Sequence, residues 1–150
     1  YAVLAGLAFT PELYRCGVDI VGVSNLITFR KTIPPYWTPL SQMMDEMIGS
    51  VETEEEMLRQ VSPVFHADKI TAPLLVFQGA NDPRVNKAES DQIVEALRSR
   101  GIPVEYHVRD DEGHGFLDER NRVWMYRTIE RFLTEHLGGR VCNGAGETAR

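Results

Sequence analysis

Leu74, Leu75, Val76 and Phe77 form an unbroken apolar run behind Pro73, closed by the turn-forming sequence Gln78-Gly79-Ala80-Asn81-Asp82-Pro83. A short apolar run bounded by turn residues suits a strand covered on both faces, as in a parallel sheet. Val104, Tyr106 and Val108 then alternate with Glu105, His107 and Arg109, the period-two pattern of a second strand. Residues 15–21 predict a third short strand.

Helical patterns fill the intervals. Residues 1–9 mix small and large apolar side chains all round, which predicts a fully buried helix, and Thr10-Pro11 ends it. Residues 40–48 predict a helix with Met43, Met44, Met47 and Ile48 on one side, a spacing that suits core filling. Thr53-x-x-Glu56 reads as a capping box for a helix that turns Met57, Leu58 and Val61 inward. Asn86 can cap the next helix with Glu89 at the reciprocal position, Ile93, Val94 and Leu97 facing inward and Gly101 beyond its end. Met125, Ile129, Phe132, Leu133 and Leu137 give a last amphipathic helix, closed by Gly138-Gly139.

Strands alternating with helices predict an α/β fold, a parallel sheet flanked by helices. Residues 1–137 read as one structural unit, and the polar residues 138–150 as a disordered tail. A net charge of -6 and a pI near 5.2 argue against a nucleic-acid partner, which needs a basic surface. The apolar opening is too short to span a bilayer and lacks the basic flank of a targeting signal, so no membrane association is expected. Cys16 and Cys142 are far apart and match no disulfide or metal-site spacing, which suggests a reducing, cytoplasmic setting.

The candidate chemistry lies where the two clearest strands end. Asp82 follows the first, and His114, between Gly113 and Gly115, follows the second. Open α/β sheets bind ligands at the carboxyl ends of their strands. Asn-Asp-Pro is also a common turn and Gly-His-Gly an ordinary loop sequence. Their joint occurrence, in this order and after separate strands, gives the carboxylate and imidazole of a Ser-Asp-His triad. Ser24 is the one serine in an elbow-like context, but Leu26 stands where the sharp turn needs a second glycine, so it is not expected to be the nucleophile. No two of His66, His107 and His136 have metal-ligand spacing. No metal or cofactor is called for.

Three segments carry a family resemblance: Ile70-Thr71-Ala72-Pro73-Leu74-Leu75-Val76-Phe77-Gln78-Gly79, Asn81-Asp82-Pro83-Arg84-Val85 and Glu112-Gly113-His114-Gly115-Phe116. Together they resemble the C-terminal catalytic domain of prolyl oligopeptidase-type serine peptidases, closest to the acylaminoacyl-peptidase and dipeptidyl-aminopeptidase branch. The likeness runs from Tyr1 to about Leu137. It implies the C-terminal part of an α/β-hydrolase fold, truncated before the nucleophile elbow. A Gly-x-Ser-Tyr-Gly-Gly-Tyr motif would place its Tyr at Tyr1, with the serine and the oxyanion donors upstream.

The resemblance implies Asp82 and His114 as catalytic residues. It assigns substrate binding to Arg84 and Val85 beside the acid, Arg84 holding a substrate carbonyl, and to Val23, Leu26 and Phe29 in the pocket for the side chain before the scissile bond. Pro83 departs from the acid that prolyl oligopeptidase itself carries there. The implied partners are an oligopeptide substrate, an N-terminal propeller and the upstream half of the hydrolase domain, and a homo-oligomer is compatible with it. Two other readings stay open: a carboxylesterase-type hydrolase sharing the triad, and an inactive hydrolase fold that serves as a binding module.

Overall fold

The computed structural model describes residues 1–141. Its centre is a three-stranded parallel sheet in the order β1 (Gly17–Ile20), β2 (Leu74–Gly79), β3 (Val104–Arg109). Both pairings keep the strands level, Ile20 beside Phe77 and Gly79 beside Arg109, so the strands end along one common edge.

The apolar run of residues 74–77 is explained by the layers it separates. Leu74 and Val76 face α1 (Ala2–Phe9) and α5 (Ala88–Arg98) in a core with Leu4, Leu7, Ile93 and Leu97. Leu75 and Phe77 face the opposite way, into a core with Phe116 and with Met125 and Phe132 of α6 (Glu119–Leu137). Alternate side chains thus enter different cores, which is why no polar residue interrupts the run. Full burial of each contributes about 1.5–3 kcal/mol, so the central strand is the firmest part of the sheet. The six residues of β3 are only half-buried, as befits a strand paired on one side.

Between β1 and β2 the chain makes three short helices, α2 (Leu26–Lys31), α3 (Ser41–Met47) and α4 (Glu55–Gln60), with 3-10 turns between and around them. Arg30 is 9% exposed and joins α2 to α3 through an ion pair with Asp45.

Several local expectations are corrected. The first helix is not buried all round: Leu4, Leu7 and Ala8 are buried, but Val3 and Phe9 are about two-fifths exposed. Only one of its sides meets the sheet; Val3 and Leu7 border an open apolar groove with Tyr14, Cys16 and Val18 of the β1 edge. In α3 only Met44 is buried, while Met43 and Met47 are exposed, because this single short helix meets the body along a narrow strip. Thr53 does not cap α4: the helix starts at Glu55, and Glu54 instead accepts the main-chain N–H of Ser50 at 3.0 Å. Met57 stays partly exposed beside the buried Leu58. Asn86 does accept the N–H of Ala88 at 3.0 Å, but Glu89 does not close a capping box, because donors across the molecule claim its carboxylate. Gly101 and Gly138 follow their helices with φ +72° and +79°, the left-handed conformation that glycine adopts freely. Residues 142–150, most of the expected tail, lie outside the described residues, as does Cys142.

Candidate active site

All three strands deliver their following loops to the same edge. Asp82 comes three positions after the end of β2, His114 five after the end of β3, and Val23 three after the end of β1. The level ending of β2 and β3 is what allows an acid and an imidazole from separate loops to meet.

The carboxylate of Asp82 is fully buried and held from two sides. Its Oδ1 accepts the main-chain N–H groups of Arg84 (2.8 Å) and Val85 (3.0 Å), and its Oδ2 lies 2.8 Å from Nδ1 of His114. A carboxylate can only accept, so Nδ1 carries the hydrogen and Nε2 is left with its lone pair. The His114 side chain is 30% exposed, so the imidazole can be reached from outside while its orienting acid cannot. A buried acceptor behind an accessible imidazole fixes one tautomer and stabilises an imidazolium.

Backbone contacts lock the two loops together. Asn81 donates its N–H to the carbonyl of Glu112 (3.0 Å), and Ala80 donates to Arg109 (2.9 Å). The approach is so close that a Cβ on Gly79 would stand 2.1 Å from the carbonyl oxygen of Gly113. Gly115 has φ +94°, which lets the chain turn back after the imidazole. Glu112, 3% exposed, accepts the N–H groups of Leu117 (2.9 Å) and Asp118 (3.1 Å) and the side-chain amide of Asn121 (2.9 Å), tying the His114 loop to the start of α6. Beneath it Phe116 packs edge-on against Phe77, the ring centroids 5.9 Å apart.

An apolar cavity of about 430 Å³ is lined by Tyr1, Val23, Leu26, Phe29, Met47, Ile48 and Val61. Three of the expected substrate-binding residues, Val23, Leu26 and Phe29, are therefore brought together in one wall. Val85 is 5% exposed and packs with Phe29 and Met44 behind that wall, so its side chain anchors the Asp82 turn to the cavity. Arg84 is exposed, and its side chain has no partner among the described residues.

Ser24 is fully buried and donates its hydroxyl to the main-chain carbonyl of Glu89 at 2.6 Å, so it cannot serve as an accessible nucleophile here. The other histidines are structural: His66 is 2.7 Å from the carbonyl of Gln60, His107 lies between Phe77 and Trp124, and His136 packs on Phe132. Among the described residues no cluster of three or more His, Cys, Asp or Glu side chains could hold a metal ion. Three site-supporting residues escape a reading of the sequence: Gln78, Glu89 and Glu112. Polar residues at a strand end, in a first helical turn and in an acidic turn carry no signal of burial.

A parallel sheet with helices on both faces, which delivers an acid and an imidazole from successive loops at its carboxyl edge, defines part of an α/β-hydrolase domain. Residues 1–140 match the model of the prolyl oligopeptidase family, and the chain belongs to that family. It is 49% identical to dipeptidyl aminopeptidase BIII of Pseudoxanthomonas mexicana, over 94% of this chain and 21% of that protein. It is 47% identical to dipeptidyl peptidase family member 6 of Caenorhabditis elegans, over 93% of this chain and 19% of that protein. A puromycin-hydrolyzing peptidase of Mycobacterium tuberculosis superposes with a TM-score of 0.84 at 28% identity, over 91% of this chain and 20% of its own. The chain thus spans about a fifth of the length of these relatives.

Proposed function

We propose that this chain supplies the acid and the base of a Ser-Asp-His triad in a serine peptidase that cleaves oligopeptides. The observation that carries the reading is the 2.8 Å contact between Asp82 Oδ2 and His114 Nδ1, with the acid buried and the imidazole accessible. His114 Nε2 takes the hydroxyl proton of a serine as that oxygen attacks the scissile carbonyl, and returns it to the leaving amine as the acyl-enzyme forms; water then repeats the cycle to release the acid. Asp82 holds the tautomer and offsets the positive charge on the imidazolium. The burial of Ser24 supports a nucleophile, with its oxyanion donors, contributed by sequence N-terminal to Tyr1.

In this reading the apolar cavity receives the side chain that precedes the scissile bond, and Arg84 reaches a substrate carbonyl from its exposed position beside the acid. The names of the two relatives at 47% and 49% identity favour dipeptides released from an amino terminus. We extend the proposal to an N-terminal propeller that filters substrates and to a reducing, cytoplasmic setting. Among the described residues no helix is long and apolar enough to cross a membrane. Association of whole molecules through apolar surface is compatible with it.

The test uses the full-length protein that carries this chain, assayed on dipeptidyl p-nitroanilides and on small p-nitrophenyl esters. Turnover of the anilides is expected. Ester turnover without anilide turnover would make it a carboxylesterase, and neither would make it a binding module.

A further inference from the structure

Glu89 lies in the first turn of α5 and is only 1% exposed. A carboxylate withdrawn from water requires donors, and they reach it from a segment more than sixty positions away. Its Oε2 accepts the main-chain N–H of Ser24 at 3.1 Å and of Asn25 at 2.8 Å, and its Oε1 accepts the hydroxyl of Thr28. The hydroxyl of Ser24 also donates to the carbonyl of Glu89 at 2.6 Å. One turn on, Gln92 extends the contact, donating to the Thr28 hydroxyl at 3.3 Å and accepting from the Asn25 amide at 3.3 Å. Asn25 itself caps α2, its Oδ1 receiving the N–H of Ile27 at 3.0 Å and of Thr28 at 3.4 Å.

The two ends of this network serve different parts of the site. On one side is the segment from Val23 to Phe29, the wall of the apolar cavity. On the other is the Asp82 turn: the next residue, Ser90, donates to Gln78 Oε1 at 2.8 Å, and Gln78 Nε2 donates to the carbonyl of Val85 at 3.3 Å. Apolar contacts such as Val85 with Phe29 hold the two together without fixing their register, since dispersion attraction is non-directional. The hydrogen bonds to a single buried carboxylate are directional and set where α2 stands.

We infer that Glu89 is a positioning residue for substrate selectivity: it fixes the α2 wall of the apolar cavity against the turn that bears Asp82, and so sets which side chain fits before the scissile bond. The inference rests on the peptidase reading. It requires Glu89 to act through Leu26 and Phe29 rather than by touching substrate.

The test compares the full-length wild type with Glu89→Gln, which keeps the volume but removes the charge and one acceptor oxygen, and with Thr28→Val, which removes one donor from the opposite side. Two p-nitroanilide substrates are used, identical except for Phe or Ala before the scissile bond. In both variants the ratio of kcat/KM for Phe over Ala should fall by about tenfold, through a higher KM for the Phe substrate, because differences of one or two methylenes in pocket fit are worth about that much. The kcat for the Ala substrate should stay within about twofold of wild type. A residue with a merely structural role would lower both substrates together. Should Glu89→Gln fail to fold, Thr28→Val decides alone. An unmoved ratio, or a parallel loss on both substrates, overturns the assignment of Glu89 and leaves the peptidase reading standing. A wild type that cleaves neither anilide overturns the peptidase reading itself, and the assignment with it.

Discussion

Asp82 Oδ2 and His114 Nδ1 are 2.8 Å apart although thirty-two positions separate the residues. The contact is made by two loops that leave level strand ends, and it places a fully buried acid behind a partly exposed base. If this couple drives catalysis, Asp82→Asn in the full-length protein should lower kcat by roughly 10⁴, the loss attached to the corresponding change in the chymotrypsin-type triad. The fold should be unchanged by circular dichroism. A loss of less than about tenfold would leave Asp82 as a turn residue that receives the N–H groups of Arg84 and Val85.

Arg84 presents an exposed guanidinium two positions beyond the acid. Arg84→Ala should weaken peptide anilides, by roughly tenfold or more in kcat/KM, while small esters without a distal carbonyl lose little. Parallel loss on both substrates would point to a structural role for its main-chain position.

Gly79→Ala should damage the site without touching either proposed catalytic residue. The added methyl would stand 2.1 Å from the Gly113 oxygen and 2.6 Å from that of Glu112, both rigid backbone, so the His114 loop must move. A displacement of that order costs on the order of 10² in turnover. Gly113→Ala serves as the control, since its added Cβ would meet nothing nearer than 3.6 Å. Equal activity in Gly79→Ala and wild type would show that the couple tolerates a shifted loop.

Asp19 supplies a pH signature. It is 3% exposed, and its Oδ2 has no hydrogen-bond partner among the described residues. Burial pushes its pKa up to about 6, against the opposing pull of the N–H of Gly22. The folded state therefore holds the proton more tightly than the unfolded chain. Below the unfolded value near 3.9 both states are protonated and nothing is lost; as pH rises from about 4 to 6, the unfolded chain gives up its proton first and stability declines. Asp19→Asn, which mimics the protonated acid, should remove that slope and stabilise the protein near neutrality by on the order of 2–3 kcal/mol, read from denaturant unfolding at several pH values. An unchanged slope would mean that Asp19 is already ionised without penalty.

The sequence by itself determined the sheet and the two residues, Asp82 and His114, at its carboxyl edge. Residues 74–77 had to form a strand covered on both faces because four consecutive apolar side chains alternate between two cores, and the turn formers after them had to leave Asp82 at the strand end. The same logic gave β3 and His114, whose flanking Gly115 needs its positive φ. Only the tertiary structure decided how these pieces are held. Glu89 has the spacing of a capping partner for Asn86, yet three donors from the Ser24–Thr28 segment, brought close only by folding, take its carboxylate instead. Thr53 likewise has the spacing of a cap that the folded chain does not use. The apolar circumference of α1 says that it can be buried, not which of its sides meets the sheet. Local patterns record what a few neighbouring residues prefer, whereas burial of a carboxylate or of a helix face depends on partners far along the chain, and sequence spacing does not encode their distance in space.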